Sequence, residues 1–334
     1  MSHTWAVAMT AREPAQLVLA NVAWHLGTGA EEVHVYLDDP EDPVAERLED
    51  LPGVLVTRCD DAHWQALAPS RRRPVSHRRR QGLNVGQAMA RAGTDWLVHL
   101  DADEFLWQDR PLGEEMAVVR ELDCELHFAV HERLFRHDVP APSLFSGLFR
   151  TATKGLNRRT DGVDNDAVIF GDWASVLNNG LLAHSAGKHA APTDSDFRPG
   201  LHWSYRGAGR ERAQRYHSTS TRLLHFDGLT RLHWLSKLIR YRDVNPALIK
   251  LPEHRLAQIA VYQNIAGYPE ALADFHRELR EPDEATLARL RAFGLLFEQS
   301  FEPCPVISRV LGYLPDLTPE SFDAELRRRL PELA

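Results

Sequence analysis

Aspartate pairs separated by one residue are the clearest candidates for chemistry in this 334-residue sequence. Three such pairs occur: Asp101/Asp103, Asp164/Asp166 and Asp194/Asp196. Only the first directly follows an apolar run, WLVHL, that is typical of a buried strand. Carboxylate oxygens are the ligands that Mg²⁺ and Mn²⁺ prefer, and such ions commonly bridge carboxylates to substrate phosphates. We therefore predict a metal site at Asp101 and Asp103, with a solvated acidic turn as the alternative.

A dense basic segment, RRRPVSHRRR, occupies residues 71–80 and holds six arginines. Like charges at this density are normally solvated unless an anion neutralises them. The segment is therefore either an exposed loop or a clamp beside a phosphate-rich ligand.

Composition narrows the class of protein. The chain is 43% hydrophobic and 26% charged, which is typical of a globular fold, and its net charge of −8 argues against a dedicated nucleic-acid binder. Three scattered cysteines, Cys59, Cys124 and Cys304, indicate a reducing compartment. No signal-like N-terminus and no long apolar stretch occurs, so we expect a cytoplasmic protein.

The elements that would position the aspartates alternate regularly over the first hundred residues. Strands are predicted at residues 5–9, 33–37, 54–57 and 96–100, and helices at 14–26, from 43 and at 81–92. This alternation predicts an α/β fold with a mainly parallel sheet covered by helices on both faces. Ligands bind such sheets at the carboxyl ends of the strands, so Asp38-Asp39 and residues 101–104 should converge on one crevice.

The later chain is less regular. We expect strands at 124–130 and 223–226, long binding loops between 140 and 220, and helices at 229–241, 252–264, 283–298 and 319–330. The predicted organisation is a catalytic domain over 1–228, with a donor half (1–110) and an acceptor half (111–228), followed by a helical extension over 229–334.

Two segments resemble a known family. They are residues 4–39, TWAVAMTAREPAQLVLANVAWHLGTGAEEVHVYLDD, and residues 80–107, RQGLNVGQAMARAGTDWLVHLDADEFLW. They resemble the family 2 type of glycosyltransferase with a GT-A fold, and in particular a bacterial branch whose metal motif is an acidic triplet followed by Glu-Phe. The resemblance covers residues 5–110. Where relatives often have Lys-Asn-Glu after the first strand, this sequence has Ala11-Arg12-Glu13.

The resemblance implies a nucleotide-sugar donor, with UDP-sugar expected, and assigns roles by position. Thr10 and Glu13 would line the nucleotide pocket, and Asp38 or Asp39 would accept a hydrogen bond from the base or ribose. For Asp38, a simple turn residue is the alternative. The other implied roles are a place near ribose and metal for Asp101, direct metal ligation by Asp103, and donor contacts for Arg80 and Gln81.

Two further cationic or metal-binding candidates lie later in the chain. The run LLHFDGLTRLHW resembles the His-Phe-x-Gly element with which several GT-A enzymes bring a histidine onto the metal, so His225 is a candidate ligand. The sequence contains 17 histidines, and a structural histidine is the alternative. Lys188, in HSAGKH, is a candidate contact for a donor phosphate.

The expected reaction moves a sugar to a glycan, polysaccharide or lipid-linked acceptor, while a divalent ion and cations stabilise the departing diphosphate. An inverting enzyme also needs a carboxylate base, for which Asp172 in FGDWA is slightly favoured over Asp166. Asp164 and Asp196 are also eligible. The sequence does not define the stereochemical outcome.

Three alternatives remain open. A sugar nucleotidyltransferase shares the sheet and the metal, although TAREPA replaces the usual Gly-rich basic loop. A silent nucleotide-sugar-binding module fits if no base exists. Finally, the arginine segment and the basic helix after His225 suggest peripheral contact with an anionic membrane.

Overall fold

The computed structural model describes residues 2–136, 143–209, 211–242 and 251–330. The strands in these ranges are β1 Trp5–Ala11, β2 Glu32–Leu37, β3 Val54–Arg58, β4 Trp96–His99, β5 Glu104–Gln108, β6 Glu125–Phe128, β7 Val130–Leu134, β8 Leu148–Thr151, β9 Lys188–Pro192, β10 Phe197–Pro199, β11 Ser204–Arg206, β12 Arg215–His217, β13 Thr221–His225 and β14 Leu296–Phe297. The helices are α1 Ala15–Gly27, α2 Val44–Glu49, α3 Asp61–Leu67, α4 His77–Arg91, α5 Leu112–Arg120, α6 Lys154–Thr160, α7 Asn165–Phe170, α8 Arg231–Arg242, α9 Glu253–Ile265, α10 Pro269–Arg280, α11 Glu284–Ala292, α12 Cys304–Leu311 and α13 Pro319–Arg329, with a 3₁₀ helix at Gly171–Val176.

The chain forms two compact units that interleave along the sequence. Unit 1 comprises residues 1–129, 186–223 and 303–315, and unit 2 comprises 130–185, 224–302 and 316–334. The chain therefore crosses from unit 1 to unit 2 after Ala129, after Leu223 and again after Pro315. The division of roles between a donor half and an acceptor half stays a prediction.

A mainly parallel sheet forms the core of unit 1, in the order β12-β6-β9-β4-β1-β2-β3. Strands β3, β2, β1 and β4 are mutually parallel, and β9 is antiparallel to both β4 and β6. Because β1 to β3 add in one direction and β4 then adds on the other side of β1, right-handed crossovers place α1 and α4 on opposite faces. The expected α/β fold class is thus confirmed.

Apolar side chains alternate across β1 to fill both faces of this sheet. Ala6 and Ala8 pack with Val85 and Ala88 of α4, whereas the intervening Val7 points to the opposite face. All five side chains are no more than 1% exposed. Because this burial holds the strands in a defined position, it also determines where the residues that follow their carboxyl ends lie.

Unit 2 combines a small antiparallel sheet with most of the later helices. Strand β8 pairs with β7 and with β14, both antiparallel. Trp234 and Leu238 of α8 pack with Ile259 of α9 and Phe275 of α10 in a buried cluster. Within the described ranges, no helix combines the length and the apolar character needed to cross a membrane.

Candidate functional site

The candidate site lies in unit 1, at the carboxyl ends of β1, β2 and β4. Ala11 of β1 is in register with Leu37 of β2, so Asp38 follows directly beside the end of β1. The backbone N–H of Leu100, which follows β4, donates to the carbonyl of Ala8 at 3.0 Å. The point between β1 and β4, where the order of strand addition reverses, is where open α/β sheets bind ligands.

Asp38 is a buried carboxylate neutralised by two arginines of the basic segment. It is 4% exposed, and its Oδ1 and Oδ2 accept from Nε and Nη2 of Arg80 at 2.7 and 3.1 Å. Arg73 donates to Oδ2 at 2.7 Å. Arg80 also donates to the carbonyls of Pro74 and Val75, both at 2.9 Å. Asp38 therefore has a structural role in the segment, and its hydrogen bond to a base or ribose stays a prediction.

The remaining residues of the expected nucleotide pocket differ in exposure. The Thr10 side chain is buried, and its hydroxyl accepts from the amide of Asn84 at 3.0 Å. Glu13 is half-buried and immediately precedes Pro14, the N-cap of α1. Asp39 is exposed, and its Oδ1 accepts from the backbone N–H of Glu41 at 3.1 Å.

The acidic turn after β4 is held by hydrogen bonds from three sides. Oδ1 of Asp101 accepts from the side-chain amide of Gln81, and Oδ2 accepts from Nζ of Lys188 at 2.8 Å. The backbone N–H of Asp101 donates to Oε2 of Glu104 at 2.8 Å. Since Arg80 contacts Asp38 and the next residue contacts Asp101, one turn of α4 connects both acidic clusters. The two acidic clusters thus lie at the same edge of the sheet, whereas the expected ligand crevice between them stays a prediction.

Lys188 is a buried cation inside this acidic turn. Its side chain is 1% exposed, and Nζ lies 2.8 Å from Asp101, 3.2 Å from Glu104 and 3.3 Å from Nδ1 of His99. Burial alone would lower the pKa of Lys188, but Asp101 and Glu104 outweigh it and raise the pKa. Lys188 therefore carries its charge at neutral pH. Burial first, and the Lys188 charge second, lower the pKa of His99 to about 4, so this imidazole is neutral.

Asp101 and Asp103, the predicted metal ligands, both lie in the turn that directly follows β4. The side chain of Asp101 is 32% exposed, whereas Asp103 is buried at 6%. Both offer carboxylate oxygens from a turn that the sheet and Lys188 hold rigidly, and oxygen ligands suit Mn²⁺ and Mg²⁺. In the structure, Asp101 pairs with Lys188, so an ion bound here would share that carboxylate with the lysine. Direct ligation by Asp103 stays a prediction.

The other predicted residues belong to unit 2, and their roles stay predictions. His225 is buried, and its ring stacks on His184 with 5.1 Å between centroids. Asp166 accepts from the Thr153 hydroxyl and from the backbone N–H of Gly180, so both of its oxygens already have partners. Asp172 is exposed in the first turn of the 3₁₀ helix.

Several site residues escaped sequence reasoning. Glu104 was noticed as part of an acidic cluster but received no role, although it anchors both Asp101 and Lys188. Asn84 lies four residues after Arg80 on α4, a spacing that puts both side chains on one helix face and offers a usable signal. Nothing in the sequence singled out His99.

Comparisons with known proteins give distant structural likenesses. No protein-family model and no curated protein matches the sequence. Residues 1–349 of S. aureus TarS are similar with 15% identity and a TM-score of 0.33, covering 99% of this chain and 86% of that one. Glucosyl-3-phosphoglycerate synthase from Mycobacterium tuberculosis, solved with Mn²⁺, UDP-glucose and phosphoglyceric acid, is similar with 13% identity and a TM-score of 0.30, covering 84% and 82%.

A synthetase for CMP:2-keto-3-deoxy-manno-octonic acid, complexed with CTP, is similar with 17% identity and a TM-score of 0.24. The match covers 38% of this chain, which spans only about half of that protein, 53% of its length. No activity follows from likenesses at these identities and scores.

Proposed function

We propose that the chain is a metal-dependent glycosyltransferase that moves a sugar from a nucleotide-sugar donor, expected to be a UDP-sugar, to a carbohydrate or lipid-linked acceptor. The observation that carries the proposal is the rigid turn Asp101–Glu104 at the switch point of a parallel sheet, with Lys188 buried inside it. The residues that resemble the family 2 type of glycosyltransferase coincide with this turn and with the adjacent edge of β1 and β2.

The side chains at this edge suit a diphosphate leaving group. Asp103 and Asp101 would hold a divalent ion. The positive charge of that ion would stabilise the negative charge that develops on the departing diphosphate. Lys188 holds Asp101 in place through a 2.8 Å ion pair and adds a fixed positive charge nearby. For Lys188 to contact a phosphate, its Nζ must exchange one carboxylate partner for a phosphate oxygen of the nucleotide-sugar.

For the nucleoside we propose the pocket at Thr10 and Glu13, with Asp39 as the exposed acceptor for a base or ribose. Arg80 contributes by fixing Asp38 and thereby the chain after β2. His225 as an additional ligand and Asp172 or Asp166 as the base complete the proposal, and each is assigned on sequence grounds.

The test measures metal-dependent nucleotide binding and donor turnover. UDP should raise the melting temperature of the full chain more in Mn²⁺ than in EDTA, because a ligand that binds only the native state stabilises it. Asp103→Asn should weaken Mn²⁺ binding by at least about tenfold and abolish the manganese-dependent part of the UDP shift. Hydrolysis of UDP-glucose should fall in parallel.

Asp194→Asn is the matched control, since Asp194 begins a pair with the same spacing but its side chain is 72% exposed and contacts Arg120. This variant should bind Mn²⁺ and UDP as the parent chain does. Equal UDP shifts in Mn²⁺ and EDTA, or an Asp103→Asn chain that matches the parent, would refute the proposal. Turnover of UTP with a sugar 1-phosphate would favour the nucleotidyltransferase, and metal-dependent UDP binding without any turnover would favour the silent module.

A further inference from the structure

A cavity of about 340 Å³ lies wholly within unit 2, among residues of α7, the 3₁₀ helix, α10 and α11. This volume is within the range of small-molecule sites. Its wall combines two aromatic rings, from Phe170 and Trp173, with polar and charged side chains. No lining residue was assigned a role from sequence, although FGDWA contains Phe170, Gly171 and Trp173.

The aromatic wall is oriented by its own contacts. The indole N–H of Trp173 donates to Oε2 of Glu278 at 2.9 Å, and its ring lies 5.4 Å from that of Phe275. Trp173 is half-buried, so part of its ring stays accessible. An aromatic face carries negative charge density that favours the weakly positive C–H groups of a saturated ring.

A buried arginine forms part of the same cavity wall. Arg150 is 3% exposed, and its Nη2 donates to Glu132 at 2.8 Å, while its Nε has no hydrogen-bond partner among the described residues. With an arginine and several carboxylates in the same wall as the aromatic rings, a ligand in the cavity would meet polar as well as aromatic groups.

The charges of the wall decide the class of ligand. The carboxylates of Glu278, Glu281 and Asp283 outnumber the guanidinium groups of Arg150 and Arg289, so an anion is not favoured. The arginines donate hydrogen bonds and the carboxylates accept them. A neutral ring with several hydroxyl groups, each both donor and acceptor, satisfies both sets and offers a C–H face to the aromatic wall.

We infer that this cavity is a binding site for a neutral carbohydrate ring. Binding there requires neither a metal nor a nucleotide, so the site goes beyond the proposed transfer reaction and does not depend on it.

The experiment titrates the full chain with three neutral probes, maltotriose, cellotriose and triacetylchitotriose, and follows binding by saturation-transfer NMR and calorimetry in EDTA. At least one probe should bind. Trp173→Ala removes the aromatic wall, and Thr286→Phe fills the cavity from α11 while leaving Trp173 in place. Each variant should weaken the affinity at least tenfold, which corresponds to about 1.4 kcal/mol.

Trp107→Ala is the matched control, because Trp107 is a half-buried tryptophan of unit 1. The affinity of this variant for the probe should differ from that of the parent by less than twofold. The UDP-induced thermal shift in Mn²⁺ is measured on every variant as a separate readout of unit 1. Should Trp173→Ala fail to fold, Thr286→Phe alone decides the matter. The inference is overturned if none of the probes binds, if Thr286→Phe binds as the parent does, or if a glucuronate oligosaccharide binds in preference to all three neutral probes.

Discussion

At the scale of single residues, the Arg80–Asp38 pair should contribute more to stability than any exposed arginine of the basic segment. Arg80→Lys keeps the charge but loses the paired contact to Asp38 and the bonds to two carbonyls. We expect the free energy of unfolding to fall by about 2 kcal/mol, measured by urea denaturation. Arg79→Lys, on the exposed neighbour, should change it by less than about 0.5 kcal/mol. Equal losses in both variants would contradict this account.

The histidine His25 should make the protein sensitive to acid. Nε2 of His25 accepts from the backbone N–H of Leu106 at 3.2 Å, so Nδ1 is the protonated nitrogen and donates to Asn21 at 2.9 Å. Burial lowers the pKa of His25 to about 4. As the pH falls below about 6.5, His25 becomes protonated in the unfolded chain but stays neutral in the native state. The free energy of unfolding therefore decreases, and this loss levels off below about pH 4.

His25→Gln removes this titration. Between pH 7.5 and 4.5, the loss of unfolding free energy should be smaller by about 2–3 kcal/mol in His25→Gln than in the parent. His217→Gln, on an exposed imidazole, should preserve the parental pH dependence. A His25→Gln profile that superimposes on that of the parent would show that His25 protonates as readily in the folded state as in the unfolded state.

The side chains at this edge of the sheet were selected from sequence, but their partners could not be. Asp38, Arg80, Gln81 and Asp101 were all selected by resemblance. The sequence could not reveal that Arg80 neutralises Asp38, because the two are 42 positions apart and meet only when α4 packs on the sheet. The basic segment matches neither alternative alone. Arg73 and Arg80 bind an anion, but this anion is the carboxylate of Asp38 in the protein itself.

At the scale of elements, two glycines should respond oppositely to the same substitution. Gly86 lies in the interior of α4, where an added Cβ meets nothing within 4 Å, so Gly86→Ala should stabilise the chain by about 0.5–1 kcal/mol. Gly187 precedes β9 with φ +70°, and a Cβ there would lie 2.3 Å from the Phe128 carbonyl oxygen. Gly187→Ala should destabilise by about 2 kcal/mol. Thermal unfolding monitored by circular dichroism distinguishes these signs, and a shift of both melting temperatures in the same direction would contradict the prediction.

The elements that sequence predicted well are those with long, uniform patterns. The apolar run at β4 and the amphipathic stretch of α4 were both found, although α4 begins at His77, one turn before the expected residue 81, because Ser76 caps it. Strand β5 has no separate sequence signal, because EFLWQ directly follows the acidic turn and its Glu-Phe belongs to the predicted metal motif. Helix α3 was missed because it spans only seven residues and depends on the Asp60 cap.

At the scale of the whole molecule, the arginines of the basic segment that do not contact Asp38 create a positive local potential, although the net charge of the chain is −8. They are exposed around the start of α4, where the helix dipole disfavours positive charge, so an external anionic surface would relieve this cost. We predict salt-sensitive binding to vesicles with 30% phosphatidylserine, about 1 kcal/mol per arginine, and its loss when all four are changed to glutamine. The four residues are Arg71, Arg72, Arg78 and Arg79.

The matched control for vesicle binding is the arginine run of α13, in which Arg328 and Arg329 pair with Glu325. Replacing Arg327, Arg328 and Arg329 by glutamine should leave flotation unchanged. Parent protein that stays in the soluble fraction at low salt would dismiss membrane contact altogether.

The interleaving of the two units was beyond sequence reasoning. A continuous domain followed by a helical extension was the natural expectation, yet residues 303–315 return to unit 1, where α12 packs on α1. Val306 lies so close to Gly27 that a Cβ at that glycine would be 2.4 Å from it. Such a contact between distant segments has no local signature, because it depends on shape complementarity between two surfaces.

The consecutive contacts of α4 at Arg80 and Gln81 have a geometric consequence. Successive helical residues project about 100° apart, so two adjacent anchors to different strand ends define the rotation of α4 about its axis as well as its distance from the sheet. Deleting one residue between Ser76 and Arg80 would leave helix propensity nearly intact yet require a compensating shift in the preceding loop. The proposed nucleoside contacts and the proposed phosphate contacts would then shift together, so a variant meant to change only one of them should alter residues outside this helix.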